Sequence, residues 1–139
     1  MYAEKKAQIT VISLIEKMTT IIPTLRDKKR YILFEVISDG AVSMRETSTE
    51  LQSTFEKNLG TFTLARAGVQ FLPDWQQQRG ILRVSHLYVD DIKASMVFVA
   101  SIKGKKAVVQ TLSVSGILNK VRTQMNKKEN NDFTKNVEA

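Results

Sequence analysis

No cysteine occurs in the chain, which removes disulfide frameworks, cysteine-bearing zinc sites and thiol nucleophiles together. A single histidine, His86, excludes a two-histidine mechanism within the chain. No apolar run approaches the ~18 residues that crossing a bilayer requires. The stretch Ile9 to Ile15 follows Lys5 and Lys6, but Gln8, Thr10 and Ser13 break it up and no small-x-small pattern follows, so it does not read as a signal peptide. Neither Gly-x-Gly-x-x-Gly nor Gly-x-x-x-x-Gly-Lys is present, which leaves no phosphate-cradling loop of either kind. Proline is confined to two positions, Pro23 and Pro73, and each marks a break between elements.

What the chain does have is length and positive charge. Its 139 residues suffice for one domain burying roughly 68% of the surface the unfolded chain would expose, without metal or disulfide staples. The formal net charge is +7 with 25% charged residues. Such a field attracts polyanions, nucleic acid above all.

From Glu4 to Thr19, Ile9, Ile12, Ile15 and Met18 make a helical stripe, and Pro23 ends that helix. Residues 24–30 form a basic connector with four cations in seven positions. Tyr31 to Ser38 predicts a strand with Ile32, Phe34 and Val36 on one face and Tyr31, Leu33, Glu35 and Ile37 on the other. Ser43 to Leu59 predicts a helix stopped by Gly60. Strands are expected at Thr63 to Leu72 and Gly80 to Ser85, joined as a hairpin through the polar stretch Pro73 to Arg79. A second core helix is expected over Leu87 to Ile102, where Val89, Ile92, Met96, Val99 and Ile102 step at three and four. Lys106 to Val114 predicts a strand, and Ile117 to Met125 a further helix.

The element order β-α-β-β-α-β predicts an α+β, ferredoxin-like sandwich: a four-stranded antiparallel sheet, two core helices on one face, and extra terminal helices. The first and third strands are expected to be central, with the last beside the first. Residues 1–22 read as an N-terminal helical extension, 23–125 as the ferredoxin-like domain, and 126–139 as a polar tail expected to fray.

With this order in place, the chain resembles ribonuclease P protein component 2 of archaea and eukaryotes, from about Thr24 to Lys120. The marks are the run from Pro23 to Ile32 leading into the first strand, Arg79-Gly80-Ile81-Leu82-Arg83-Val84, Tyr88-Val89-Asp90, and the run from Thr111 to Ile117. Two features depart from the family pattern. The residues before Pro23 read as an extension, or as a start assigned upstream of an initiating Met18, and Ser113 stands where a basic residue is frequent. The resemblance implies a non-catalytic subunit of the ribonucleoprotein that removes the 5′ leader from precursor tRNA. The RNA and its bound Mg²⁺ would carry out the hydrolysis, and the protein would bind no cofactor. Implied partners are the ribonuclease P RNA, the TIM-barrel component 3 and other holoenzyme proteins, with precursor tRNA met indirectly and self-association open. The expected location is cytoplasmic, or nuclear or nucleolar for a eukaryotic source.

The residues support a binding role. A protein nuclease needs a base, a metal site or an activated nucleophile with partners in reach. His86 stands at a strand-to-helix junction, where capping is the ordinary role. Asp90 and Asp91 point about 100° apart on a helix, so favourable placement at its N-terminus explains them better than a shared ion. No catalytic or metal-ligating residue is assigned. Base stacking on the sheet, as in RNA-recognition motifs, calls for aromatics where Ile81 and Arg83 stand. Arg83 is expected either to pair with Glu35 across the sheet or to meet a phosphate. The predicted RNA contacts are Arg26, Lys28, Lys29, Arg30, Arg83, Lys103, Lys105, Lys106, Lys120 and Arg122, a rim split between opposite ends of the first and last strands. Leu33, Ile37 and Ile81 make the second sheet face too apolar to stay bare, so terminal helices or a protein partner should cover it. The alternative is an autonomous RNA-binding or small-ligand regulatory domain of the same fold.

Overall fold

The computed structural model of the protein describes residues 27–127. Arg26, the Ile9, Ile12, Ile15, Met18 stripe and the tail beyond Lys127 lie outside the described residues. In chain order the elements are β1 (Lys29–Ser38), α1 (Met44–Leu59), α2 (Thr61–Ala67), β2 (Gln70–Gln76), β3 (Arg79–Ser85), a 3-10 turn (His86–Tyr88), α3 (Val89–Met96), β4 (Ser101–Ile102), β5 (Lys105–Ser115) and α4 (Leu118–Asn126). The strands pair antiparallel in the order β2-β3-β1-β5-β4. This is the ferredoxin-like α+β arrangement, with β1 and β3 central, β5 beside β1, and the two-residue β4 added at the edge.

Local chemistry sets the element ends. Ser43 caps α1, its Oγ accepting from the Glu46 amide at 3.2 Å, and Glu46 places a carboxylate in the positive first turn. Gly60, at φ 79°, ends the helix while its amide donates to Glu56 at 3.0 Å. The buried face of α1 presents Leu51 and Phe55, and α3 presents Ile92 and Met96. Both close on Ile32, Phe34 and Val36 of β1 and on Leu82 and Val84 of β3, forming the main core.

Three boundaries differ from the sequence expectation. Residues 61–67 are helical rather than the start of a strand, because Leu64 and Ala67 share one inward side and Gly68, at φ 61°, supplies a left-handed stop bonded to the Leu64 carbonyl. β2 continues through Pro73, since it is an edge strand and its pairing with β3 is irregular between Phe71 and Trp75. The second core helix ends at Met96, where the amides of Val97, Phe98 and Val99 bond three residues back and tighten the chain. Ile102 is fully buried as its spacing implies, but from β4 rather than from a helix.

The other sheet face is covered by this chain's own α4. Val121 and Met125 bury Leu33 and Ile81, with Tyr31, Leu72, Leu112 and Leu118 around them. The register of β5 against β1 shifts between Leu33 and Phe34, so that one extra residue, Leu112, is accommodated and its side chain joins this second core. α4 starts just past β5, and its last carbonyls reach Arg79 at the opposite end of the sheet. It therefore crosses the face obliquely and leaves Ile37 and Val108 exposed.

Candidate nucleic-acid interface

The pairing register places the predicted cations at two ends of one strand pair. Lys29 stands opposite Ser85 and Tyr31 opposite Ser115, so the start of β1 and the ends of β3 and β5 share one edge. Ser38 stands opposite Ala107, which brings the β4–β5 hairpin to the other edge. Nine residue steps along β1 separate these edges by about 30 Å.

At the first end Lys28 and Lys120 are exposed and Lys29 and Arg30 half-buried. The Lys28 carbonyl accepts from the His86 amide at 2.8 Å and lies 3.0 Å from His86 Nδ1. His86 thus ties the end of β3 to the start of β1, which is how its side chain is used instead of capping α3. Arg30 lies over Gly116, where a β-carbon would come within 3.1 Å of Nη1, and Nη1 donates to the Lys29 carbonyl at 3.1 Å. Arg30 is therefore held against the backbone, whereas Lys28 and Lys120 are free to reach outward.

At the second end Lys103, Lys105 and Lys106 are all exposed. Lys103 and Gly104 form the two-residue turn between β4 and β5, with φ 52° and 77°. Such turns require positive φ at both positions, so Gly104 fits and Lys103 accepts strain. Lys105 Nζ donates to the Ala41 carbonyl at 2.7 Å, and the Asp39 amide donates to the Lys106 carbonyl at 3.1 Å. These bonds hold the hairpin on the end of β1.

Two expected cations are placed differently. Glu35 makes its ion pair with Arg79, at 3.8 Å, and not with Arg83. The register explains it: Glu35 stands opposite Arg79, while Arg83 stands opposite Tyr31. Arg83 is half-buried, and its Nε has no hydrogen-bond partner among the described residues. Arg122 pairs with Asp74 of β2 at 3.3 Å, so its charge is partly compensated within the chain. The apolar trio also divides. Leu33 and Ile81 lie under α4 at 1% exposure and face no partner, whereas Ile37 is 53% exposed.

Several residues escape the sequence reading. Arg79 is buried, and besides Glu35 it donates from Nη1 to the Lys127 carbonyl at 3.0 Å, a cation at the negative end of α4. Nothing local in the sequence signals this contact, since 48 positions separate the two residues. Val108, 58% exposed beside Ile37, extends the open apolar patch. Val97 and Phe98 are 76% and 71% exposed, and here the signal exists: both fall off the Val89, Ile92, Met96, Val99 stripe.

The arrangement brings cations to both ends of the sheet. Among the described residues no three His, Cys, Asp or Glu side chains stand together as a metal cage. Asp90 and Asp91 lie in the first turn of α3, and His86 is turned to a backbone carbonyl. Nor is the sheet a stacking platform, because α4 occupies the face over its central strands.

Residues 30–126 match the family model described as Rpp14/Pop5 family. The chain is 35% identical over 108 residues to "Ribonuclease P protein component 2" of Pyrococcus furiosus, covering 77% of this chain and 90% of that protein. To the protein of the same name from Methanosarcina barkeri it is 34% identical over 101 residues, covering 73% and 74%. Among solved structures, a chain of yeast ribonuclease MRP superposes with a TM-score of 0.54 at 16% identity, covering 72% of this chain and 87% of that one, a likeness of fold. The match from the start of β1 to the end of α4, together with relatives above 30% identity over most of their length, shows that the chain belongs to the Rpp14/Pop5 family.

Proposed function

We propose that the chain is a non-catalytic protein subunit of ribonuclease P, the ribonucleoprotein that removes the 5′ leader from precursor tRNA. One observation carries this reading: the family match, residues 30–126, spans every described element from β1 to α4, so it is the whole folded unit that is shared.

Its part is to supply cations and a rigid frame. Lys28, Lys29 and Lys120 at one end and Lys103, Lys105 and Lys106 at the other meet phosphates of the catalytic RNA and offset their mutual repulsion as the RNA packs. Such contacts position and do not read sequence. Mg²⁺ for the hydrolysis sits on the RNA, and the isolated chain is inactive. Precursor tRNA is met only through the assembled particle. The exposed Ile37 and Val108, at the end of the sheet that α4 leaves open, supply an apolar surface on which the TIM-barrel subunit docks.

Reconstitution tests the proposal. The purified chain is combined with the catalytic RNA, the TIM-barrel subunit and a precursor tRNA, and leader release is followed at limiting Mg²⁺. Cleavage that rises only in the full mixture is the expected result. Equal cleavage with and without the chain would contradict it.

A further inference from the structure

The two basic ends are rigidly connected. β1 joins them as one strand hydrogen-bonded on both sides, and the eleven-residue β5 runs the same span antiparallel to it. Neither cluster can move toward the other without breaking the sheet, so their separation of about 30 Å is fixed. Between them, the outer edge of β5 pairs with β4 at Lys105 and Lys106 and bonds the Ala100 carbonyl through the Ala107 amide; beyond that its exposed residues are Val108, Gln110 and Val114, with Thr111 and Ser113 half-buried. Beyond Ala107 no further strand among the described residues joins this edge, so a ligand has room to reach from one basic end to the other. Of the acids nearby, Asp27 and Asp39 stand singly, one at each end; Glu35, which accepts from Gln110 of β5 at 3.3 Å, is offset by its ion pair with Arg79; and Asp90 and Asp91 are on α3, across the sheet from α4 and Lys120.

Lys103 gives a second, independent pointer. Its φ of 52° places it in a conformation that glycine or asparagine adopts at less cost. Its side chain is exposed, so packing gives no reason for lysine there. The hairpin holds a strained cation at its tip, aimed away from the fold.

We infer that this chain grips one RNA duplex lengthwise along β5, with Lys28, Lys29 and Lys120 on the phosphates at one point and Lys103, Lys105 and Lys106 on those about one helical turn away. A-form RNA suits such a grip because its shallow minor groove and phosphate rows recur along the axis and are met by shape. Two contacts on one rigid frame act together, since the second forms within the complex already made by the first. The inference rests on the phosphate-contact reading proposed above and adds its ligand: a double-stranded segment at least long enough to reach both ends.

The test uses the full chain and two RNA duplexes, one of about 16 base pairs and one of about half that length, titrated by fluorescence anisotropy over a range of salt. The long duplex is expected to bind at least about tenfold tighter. Neutralising either cluster, as K28Q/K29Q/K120Q or as K103N/K105Q/K106Q, should erase that preference and lower the steepness of the salt dependence by about two to three. K103N alone should weaken long-duplex binding a few-fold while raising the melting temperature, which separates lost charge from lost fold. Equal affinity for the two lengths, or a length preference that survives neutralisation of one cluster, would overturn the lengthwise grip and leave phosphate contact standing. No salt-dependent binding of either duplex would overturn phosphate contact itself.

Discussion

Gly80 on β3 shows how closely a single residue is tied to the main core. A β-carbon there would lie 2.6 Å from Cζ of Phe34 and 3.1 Å from Trp75, and the Phe34 ring is itself buried. Gly80→Ala should therefore destabilise the protein by about 1–3 kcal/mol, read as a shift in the denaturant midpoint, because the ring has nowhere to move. Other residue-scale devices are invisible in the sequence. Gln77 and Gln78 take φ of 51° and 58° in the β2–β3 turn, where glutamine has no preference to be. Gln78 is held by distant groups: its Oε1 accepts from the Val42 amide at 2.9 Å and its Nε2 donates to the Val36 carbonyl at 2.9 Å. A turn fixed by bonds to residues about forty positions away cannot be seen in a Gln-Gln-Gln run, which reads simply as loop. The start of α1 at Ser43 and its stop at Gly60 are legible in the sequence because their work is done within three or four residues.

Element by element, legibility follows whether an element's partners are periodic. β1, α1, β3 and β5 announce themselves through alternation or through a stripe with a cap and a stop. α2 does not: seven residues offer less than two turns of pattern, and Thr63 to Leu72 then reads as a strand by composition. The sequence predicts α4 as a helix but leaves open whether a terminal helix or a protein partner covers the second sheet face. The bulge that turns Leu112 inward and the Arg79 contact at the C-terminus of α4 fix that helix on the sheet; the bulge is set by pairing with distant β1, and Arg79 lies 48 positions from the carbonyl it meets. Because α4 buries Leu33 and Ile81 through so small a cluster, Met125→Ala should cost about 2–5 kcal/mol. It should also increase binding of an apolar-surface dye under conditions where the main core stays folded. At the uncovered end, Ile37 and Val108 face each other across β1 and β5. Val108→Asp should leave the melting temperature nearly unchanged and weaken capture of the TIM-barrel subunit at least about tenfold, the magnitude expected when a charge enters a desolvated apolar contact. Capture at unchanged affinity would move the docking surface elsewhere, with Val97 and Phe98 the next exposed apolar pair.

At the scale of the whole molecule, the described residues form a stiff sheet with cations at both ends, and among them no three His, Cys, Asp or Glu side chains stand together. The net charge of +7 pointed to a polyanion. What composition alone does not contain is the split of that charge, which follows from antiparallel pairing of β1 with β5, or the loss of Arg122 to Asp74, which follows from where α4 ends. With about five phosphates engaged, affinity for the catalytic RNA should fall with salt at a log-log slope of about −3.5 to −4.5, with little change between RNA sequences of the same shape. A flat salt response would mean that the lysines are merely solvated. The most direct measurement follows leader release from precursor tRNA in the complete reconstituted mixture, before and after nuclease digestion of the catalytic RNA and removal of the nuclease. The account predicts that cleavage disappears with the RNA and returns when fresh RNA is added; cleavage that persists in the digested mixture would contradict it.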